Sequence, residues 1–159
     1  MLILRHHLLL RSKKLMNDAT TAPAEITAEH FERARAALEG LPFSRLIGMR
    51  MIELKIDEAT IAVDMRDDLR QPSGVLHGGV TATLIDTAMA FAVRTRLPVE
   101  SATATVDLTV HYLRPLTEGT ATCVAKNVRA GKRIFTVSAD VFNEGGNLIA
   151  TALSTYTKV

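Results

Sequence analysis

The stretch HGGVTATLIDTAMAFAVRT, residues 77–95, decides the fold of this chain. From Val80 to Val93 nearly every side chain is apolar or small, and the length and alanine content favour a helix over a strand. A helix that is apolar all round is expected to be buried all round. The rest of the chain must therefore supply a surface large enough to wrap it.

Alternating segments on both sides of this helix supply that surface. Before it, Ile52, Leu54 and Ile56 alternate with charged residues, and the Asp57-Glu58 corner leads into a second strand. After it, a period of two covers four segments, which are residues 102–112, 119–129, 135–141 and 148–157. The order predicts an α+β fold in which an antiparallel sheet of about six strands wraps one long buried helix. A parallel nucleotide-binding sheet is not expected.

The chain is expected to consist of an N-terminal segment and one domain. Residues 1–26 are expected to be an extension and linker, and residues 27–159 one domain that opens with a helix from the N-cap Thr27 to just before Gly40. Residues 1–15 break their apolar runs with basic residues, lack a small-residue cleavage site and are too short to span a bilayer. Met16 is therefore a plausible start, and a basic amphipathic anchor is the alternative.

Composition excludes several classes of function. A chain of 159 residues suits one domain, and its net charge of +2 does not indicate a nucleic-acid partner, which needs a clustered basic stripe. The single cysteine excludes an intramolecular disulfide and favours a reducing, cytoplasmic compartment. The adjacent His6 and His7 lack a third ligand, so they are a weak metal signal.

A glycine-rich loop, Gly74-Val75-Leu76-His77-Gly78-Gly79, leads directly into the helix. The first N–H groups of a helix lack internal partners and, with the helix dipole, suit an anion or a developing oxyanion. Glycine lets a ligand approach the backbone closely. The alternative is a tight loop whose glycines serve packing only, and local chemistry leaves both possibilities open.

Asp86 is the one charged residue between Val80 and Val93. Aspartate is a poor helix former and is rarely buried without a partner, so it is either a satisfied structural carboxylate or a functional one. Its position beyond a glycine-rich helix entrance favours function. Because a helix rises 1.5 Å per residue, Asp86 lies roughly 12 Å along the axis from Gly78. A second subunit is therefore needed to bring a carboxylate to the helix entrance, and the spacing indicates a dimer.

These motifs, Gly74-x-x-His77-Gly78-Gly79 followed by Leu84-Ile85-Asp86-Thr87-Ala88, resemble the hotdog-fold acyl-CoA thioesterases of the phenylacetate-degradation type. The order of segments matches from about Phe43 to Val159. The resemblance implies a hotdog fold and hydrolysis of an acyl-CoA thioester by a homodimer or a dimer of dimers, which is a homotetramer. It implies no metal or organic cofactor.

The resemblance also assigns roles to single residues. Asp86 is implied as general base or nucleophile, and the backbone N–H of Gly78 as the group that polarises the thioester carbonyl. His77 is implied to shape the loop. Gln71 stands where many relatives have an asparagine that orients the thioester or water, and Thr105 matches a Ser or Thr that assists the water.

Substrate binding is expected at Gly79 and at a basic hairpin formed by Arg129, Lys132 and Arg133. The hairpin matches the region where relatives meet the nucleotide end of coenzyme A, whose phosphates attract cations. The alternative is a solvated basic turn. Cys123 is expected in the core, and His111 lies on the polar face of its strand.

Two other functions remain open from sequence. A hotdog-fold enoyl-CoA hydratase or dehydratase would pair a histidine with an acidic residue, and the Gly-Gly pair after His77 fits a thioesterase better. A non-catalytic acyl-CoA-binding module is the other alternative. Known regulators of that kind carry a DNA-binding domain, and residues 1–41 are too short for one.

Overall fold

A computed structural model describes residues 23–159, so the predictions for residues 1–22, including Met16, His6 and His7, lie outside the described residues. The helices are α1 (Ala28–Gly40), α2 (Pro42–Ile47) and α3 (Gly78–Arg94). The strands are β1 (Met49–Lys55), β2 (Glu58–Asp64), β3 (Thr103–Tyr112), β4 (Thr120–Ala130), β5 (Ile134–Phe142) and β6 (Leu148–Lys158). No helix within residues 23–159 is long and apolar enough to cross a bilayer.

The six strands form one antiparallel sheet in the order β1-β2-β4-β5-β6-β3, and α3 packs on its inner face. The inward residues of β4 and β5 follow the predicted alternation and are buried, as at Cys123, Ala125 and Val137. They pack against Leu84, Ile85, Ala88, Met89 and Ala92 of α3 in one hydrophobic core. The predicted α+β architecture of six strands around one long helix is confirmed.

The N-terminal helix begins where the sequence predicts. The Thr27 hydroxyl accepts from the backbone N–H of His30, and the His30 ring in turn accepts from the Thr27 N–H, which satisfies two otherwise free donors. Gly40 is the last helical residue, and it does not lie beyond the end as expected. Helix α1 packs against β1 and buries Leu38, so it covers one edge of the sheet.

The predicted face of β1 is wrong at Ile52, which is 47% exposed. Met49 and Met51 are the buried residues at the start of this strand. A bulge between Met51 and Glu53 inserts an extra residue against β2, and the strict alternation fails at that point. Period-two patterns cannot reveal such a bulge, because one inserted residue exchanges the two faces.

Helix α3 is not buried all round in the single chain, in contrast to the expectation. One stripe stays partly exposed and comprises Ala82, Thr83, Asp86, Thr87 and Ala90. The hydroxyl groups of Thr83 and Thr87 donate to backbone oxygens one turn earlier, so these polar residues need no other partner. Asp86 therefore lies on the open side of an otherwise enclosed helix.

Strand β3 is the other edge of the sheet and pairs with β6 on one side only. Most of its residues are exposed, including Val106 at 59% and Tyr112 at 56%. An uncovered edge strand presents unpaired backbone groups to another chain. The open stripe of α3 and this free edge belong to neighbouring elements, since Asp86 contacts Thr105 of β3.

Candidate active site

The side chain of Asp86 is held by two hydroxyl groups. Thr105 Oγ1 donates to Asp86 Oδ1 at 2.8 Å, and the Tyr156 hydroxyl lies 2.6 Å from the same oxygen. The Tyr156 hydroxyl also lies 2.7 Å from the main-chain oxygen of Asp86. No donor is found for Oδ2 among residues 23–159. The structure thus brings the predicted pair Asp86 and Thr105 together.

Tyr156 is a further residue of the candidate site, and no pattern in the sequence singles it out. It occupies an apolar position of β6 and is only 1% exposed, so the alternation marks it as ordinary core. Burial and the adjacent Asp86 carboxylate raise the pKa of the Tyr156 phenol well above its usual value, which keeps the hydroxyl protonated as a donor. A buried tyrosine usually has a partner for its hydroxyl, and this rule is the one sequence signal that could have drawn attention to Tyr156.

Strand register explains how the two hydroxyl groups meet. Thr105 on β3 pairs directly with Tyr156 on β6, and a bulge follows between Thr105 and Asp107. Directly opposed residues on neighbouring strands have side chains within reach of each other. Helix α3 crosses this pair at Asp86. The pairing depends on contacts between distant parts of the chain, so local sequence patterns do not reveal it.

The N-terminus of α3 is capped by the ring of His77. His77 Nδ1 accepts from the N–H of Gly79 at 2.9 Å, and the His77 carbonyl oxygen accepts from Val80 N–H at 2.9 Å. Because Nδ1 is the acceptor, the proton of the neutral ring is assigned to Nε2. This geometry gives His77 a loop-shaping contact. It also occupies the N–H of Gly79, which the sequence analysis had considered for substrate binding.

The N–H of Gly78 has no acceptor among residues 23–159. Tyr112 packs on Gly78, since its hydroxyl donates to the Gly78 carbonyl oxygen at 3.0 Å and its ring lies 3.4 Å from where a Cβ would be. No pattern in the sequence singles out Tyr112. The resulting site is an unpaired N–H at the positive end of a helix, backed by an aromatic ring.

A cavity of about 400 Å³ opens at this helix end. Its lining includes Gly78, Tyr112 and Gln71, together with apolar residues such as Leu113 and Ile149. Gln71 Nε2 donates to Ser73 Oγ at 2.9 Å. Of the predicted site residues, the cavity therefore brings Gln71 and Gly78 together.

Asp86 does not line this cavity. Within one chain the carboxylate and the Gly78 N–H stay apart by about eight helical steps, or roughly 12 Å. The predicted separation of the two groups is therefore present in the fold. The Gly78 N–H at the entrance of α3 and the Asp86 carboxylate at its middle are therefore two separate groups, which we call the two half-sites of the candidate site.

The basic hairpin residues Arg129, Lys132 and Arg133 are all exposed, and none forms an ion pair within the described part of the chain. Across the sheet Tyr156 pairs with Phe135, and Phe135 pairs with Ala130. The hairpin thus lies at the end of the sheet that carries the contacts of Asp86.

Two remaining candidates have simple placements. Cys123 is fully buried, and burial raises the pKa of its thiol, which confirms a core position and disfavours a thiolate. His111 is exposed on β3. Residues 23–159 hold no group of three or more His, Cys, Asp or Glu side chains arranged to bind a metal ion.

Comparison with known proteins identifies the family. The thioesterase superfamily profile matches residues 73–150. A putative esterase of Saccharolobus solfataricus is 31% identical over 110 residues, which is 69% of this chain and 73% of the relative. This chain belongs to the thioesterase superfamily. The medium/long-chain acyl-CoA thioesterase YigI of Escherichia coli is 28% identical over 134 residues, 73% of this chain and 84% of YigI.

A solved structure shares the fold. The PaaI protein from the phenylacetic acid degradation operon of Escherichia coli superposes with a TM-score of 0.74 at 22% identity, over 80% of this chain and 91% of PaaI. The hotdog fold implied by the sequence resemblance is thus confirmed. The superfamily also supports thioester hydrolysis as the general activity.

Proposed function

We propose that this protein hydrolyses an acyl-CoA thioester to a carboxylic acid and coenzyme A at a site shared by two subunits. The observation that carries the proposal is the half-buried Asp86, whose Oδ1 is fixed by two hydroxyl groups while Oδ2 has no donor within the described residues. The relative YigI, named a medium/long-chain acyl-CoA thioesterase, supports acyl-CoA as the substrate class.

The chemistry uses both half-sites. The Gly78 N–H of one subunit binds the thioester oxygen and stabilises the negative charge that develops on it. The Asp86 carboxylate of the other subunit takes a proton from water while the water oxygen attacks the carbonyl carbon. The C–S bond then breaks, and the leaving coenzyme A thiolate takes the proton from the Asp86 carboxyl, which restores the carboxylate. Direct attack by Asp86, followed by hydrolysis of the anhydride, is the alternative route.

Three features support a dimer. The two half-sites are too far apart in one chain, the edge of β3 is unpaired within the described residues, and α3 has an open stripe that contains Asp86. A two-fold arrangement that joins two β3 edges would cover this edge and supply two identical sites. We propose a further pairing into a dimer of dimers on the resemblance to the phenylacetate-degradation type alone.

The remaining assignments follow the same proposal. Gln71 and Thr105 orient the thioester and the water, and Arg129, Lys132 and Arg133 attract the phosphates of coenzyme A. A hydratase would need a histidine free to move protons, whereas the His77 ring accepts from Gly79. The cytoplasmic location inferred from the single cysteine stays a prediction.

The test is release of free thiol from a panel of aryl-, short-, medium- and long-chain acyl-CoAs. We expect Asp86→Asn to lower kcat by about 10²- to 10⁴-fold, because the carboxylate that handles the proton is lost. Asp140→Asn is the matched control, since Asp140 is an exposed carboxylate on β5. Near-normal turnover by Asp86→Asn, or no thiol release by the unaltered protein from any member of the panel, would overturn the proposal.

A further inference from the structure

The hydroxyl of Tyr156 touches two parts of the same residue. It lies 2.6 Å from the carboxylate oxygen Oδ1 of Asp86 and 2.7 Å from the Asp86 main-chain oxygen. The ring is buried in the sheet on β6, where the phenol is almost completely excluded from solvent. A rigid core side chain thus fixes both the backbone and the side chain at the position where the reaction is proposed.

We infer that Tyr156 is a positioning residue: its hydroxyl, together with that of Thr105, occupies Asp86 Oδ1 and so presents Oδ2 to the water or thioester. This inference rests on the proposed function and deepens it. With two donors on Oδ1 and none on Oδ2 within residues 23–159, the two oxygens of the carboxylate are not equivalent. Only Oδ2 can approach a reacting group without first losing a hydrogen bond.

Packing alone does not require a hydroxyl at this position. A phenylalanine would fill the same apolar volume in the core, and the hydroxyl adds a buried polar group that must be satisfied. Its partner is the half-buried carboxylate on the open side of α3. Catalytic groups need locked side-chain geometry to react efficiently, and a hydrogen bond from a rigid core residue supplies it.

Few charged groups surround this carboxylate. From β6 the facing titratable group is Tyr156, and from β3 the facing side chain is Thr105. Asp107 on β3 instead accepts from the backbone N–H of Thr155. On α3 the nearest charged residue is Arg94, two turns further along. Within the described residues no charged side chain lies between Tyr156 and Asp86, so a change at Tyr156 acts directly on the carboxylate.

The test is Tyr156→Phe, assayed for the kcat and KM of thiol release. We expect kcat to fall about 10- to 100-fold with KM changed less than about threefold, since the carboxylate is misplaced while substrate contacts remain. Val141→Ala, which makes a cavity far along β5, controls for lost stability.

A double variant separates positioning from a general structural role. If Tyr156 acts through Asp86, then Tyr156→Phe will not lower the residual activity of Asp86→Asn any further. An equal loss in both backgrounds, or a loss matched by Val141→Ala, would overturn the inference. A different result would contradict the proposed function, namely that the unaltered protein has no thioesterase activity. An active protein that needs Asp86 but is indifferent to Tyr156→Phe refutes this inference alone.

Discussion

The two ends of α3 are built in opposite ways. At the entrance Gly78 lines a cavity, and its N–H has no acceptor in the described chain. At the C-terminal end, which we call the exit, Thr95 Oγ1 and Asn127 Nδ2 both donate to the carbonyl oxygen of Ala92. Side chains of the protein therefore satisfy this end of the helix. An unpaired helix terminus at a cavity is available to a ligand, whereas a terminus satisfied by side chains stabilises the fold. We therefore expect changes at the entrance to affect mainly activity and changes at the exit to affect mainly stability.

The largest effect is expected at the entrance, from Gly78→Pro. Proline at the first helical position removes only an N–H that has no helical partner, and the extended backbone of His77 suits a following proline. We expect kcat to fall about 10²- to 10³-fold, as for loss of an oxyanion donor, with the melting temperature nearly unchanged. Thiol-release kinetics and thermal unfolding check this, and Gly78→Ala, which keeps the N–H, is the control.

The same variant tests whether the half-sites are shared between subunits. Co-expressed Gly78→Pro and Asp86→Asn chains should form mixed dimers in which one site is intact, restoring about a quarter of the activity in an equal mixture. Each variant alone stays inactive. Failure of the mixture to regain activity, despite formation of mixed dimers, would place both groups of a site in one subunit.

A smaller effect is expected at His77, whose ring caps the entrance. His77→Ala should lower the free energy of unfolding by about 1 kcal/mol, because the Gly79 N–H loses its acceptor. His77→Asn keeps a capping oxygen and should recover most of that loss. Denaturant unfolding measures both. If His77→Asn were as inactive as Asp86→Asn while fully folded, the ring would have a chemical role beyond capping.

Local patterns predicted the candidate residues on α3 itself better than the side chains that distant strands bring to them. The motif at Gly78 and the lone charge at Asp86 stand out in the sequence because glycine and aspartate contradict an apolar helix. Tyr156 conforms to its strand, so only the β3–β6 register revealed its contact with the carboxylate. The bulge that exposes Ile52 was hidden for the same reason, since pairing between strands is a tertiary property.

The smallest effect is expected at the exit, where Asp57 ties the β1–β2 turn to α3. Arg96 donates to Asp57 Oδ1 at 2.7 Å, and Asp57 has a positive φ of 67°. Asparagine tolerates that backbone conformation, so Asp57→Asn removes the charge with little strain. The side chains of Asp57 and Arg96 are 32% and 46% exposed. Solvent screening therefore limits the expected loss in the free energy of unfolding to about 0.5–1 kcal/mol. Thiol release should be unchanged.

The pH dependence of that loss has a definite sign. The hydrogen bond and charge of Arg96 hold the pKa of the Asp57 carboxyl below its usual value. A lowered pKa in the folded state stabilises the fold at pH values above the unfolded pKa of about 3.9, and the contribution disappears as the pH falls through the folded value. The unaltered protein should exceed Asp57→Asn in stability at pH 7 and converge with it in acid. Divergence in acid, or a loss of activity at pH 7, would show that the exit of α3 is not purely structural.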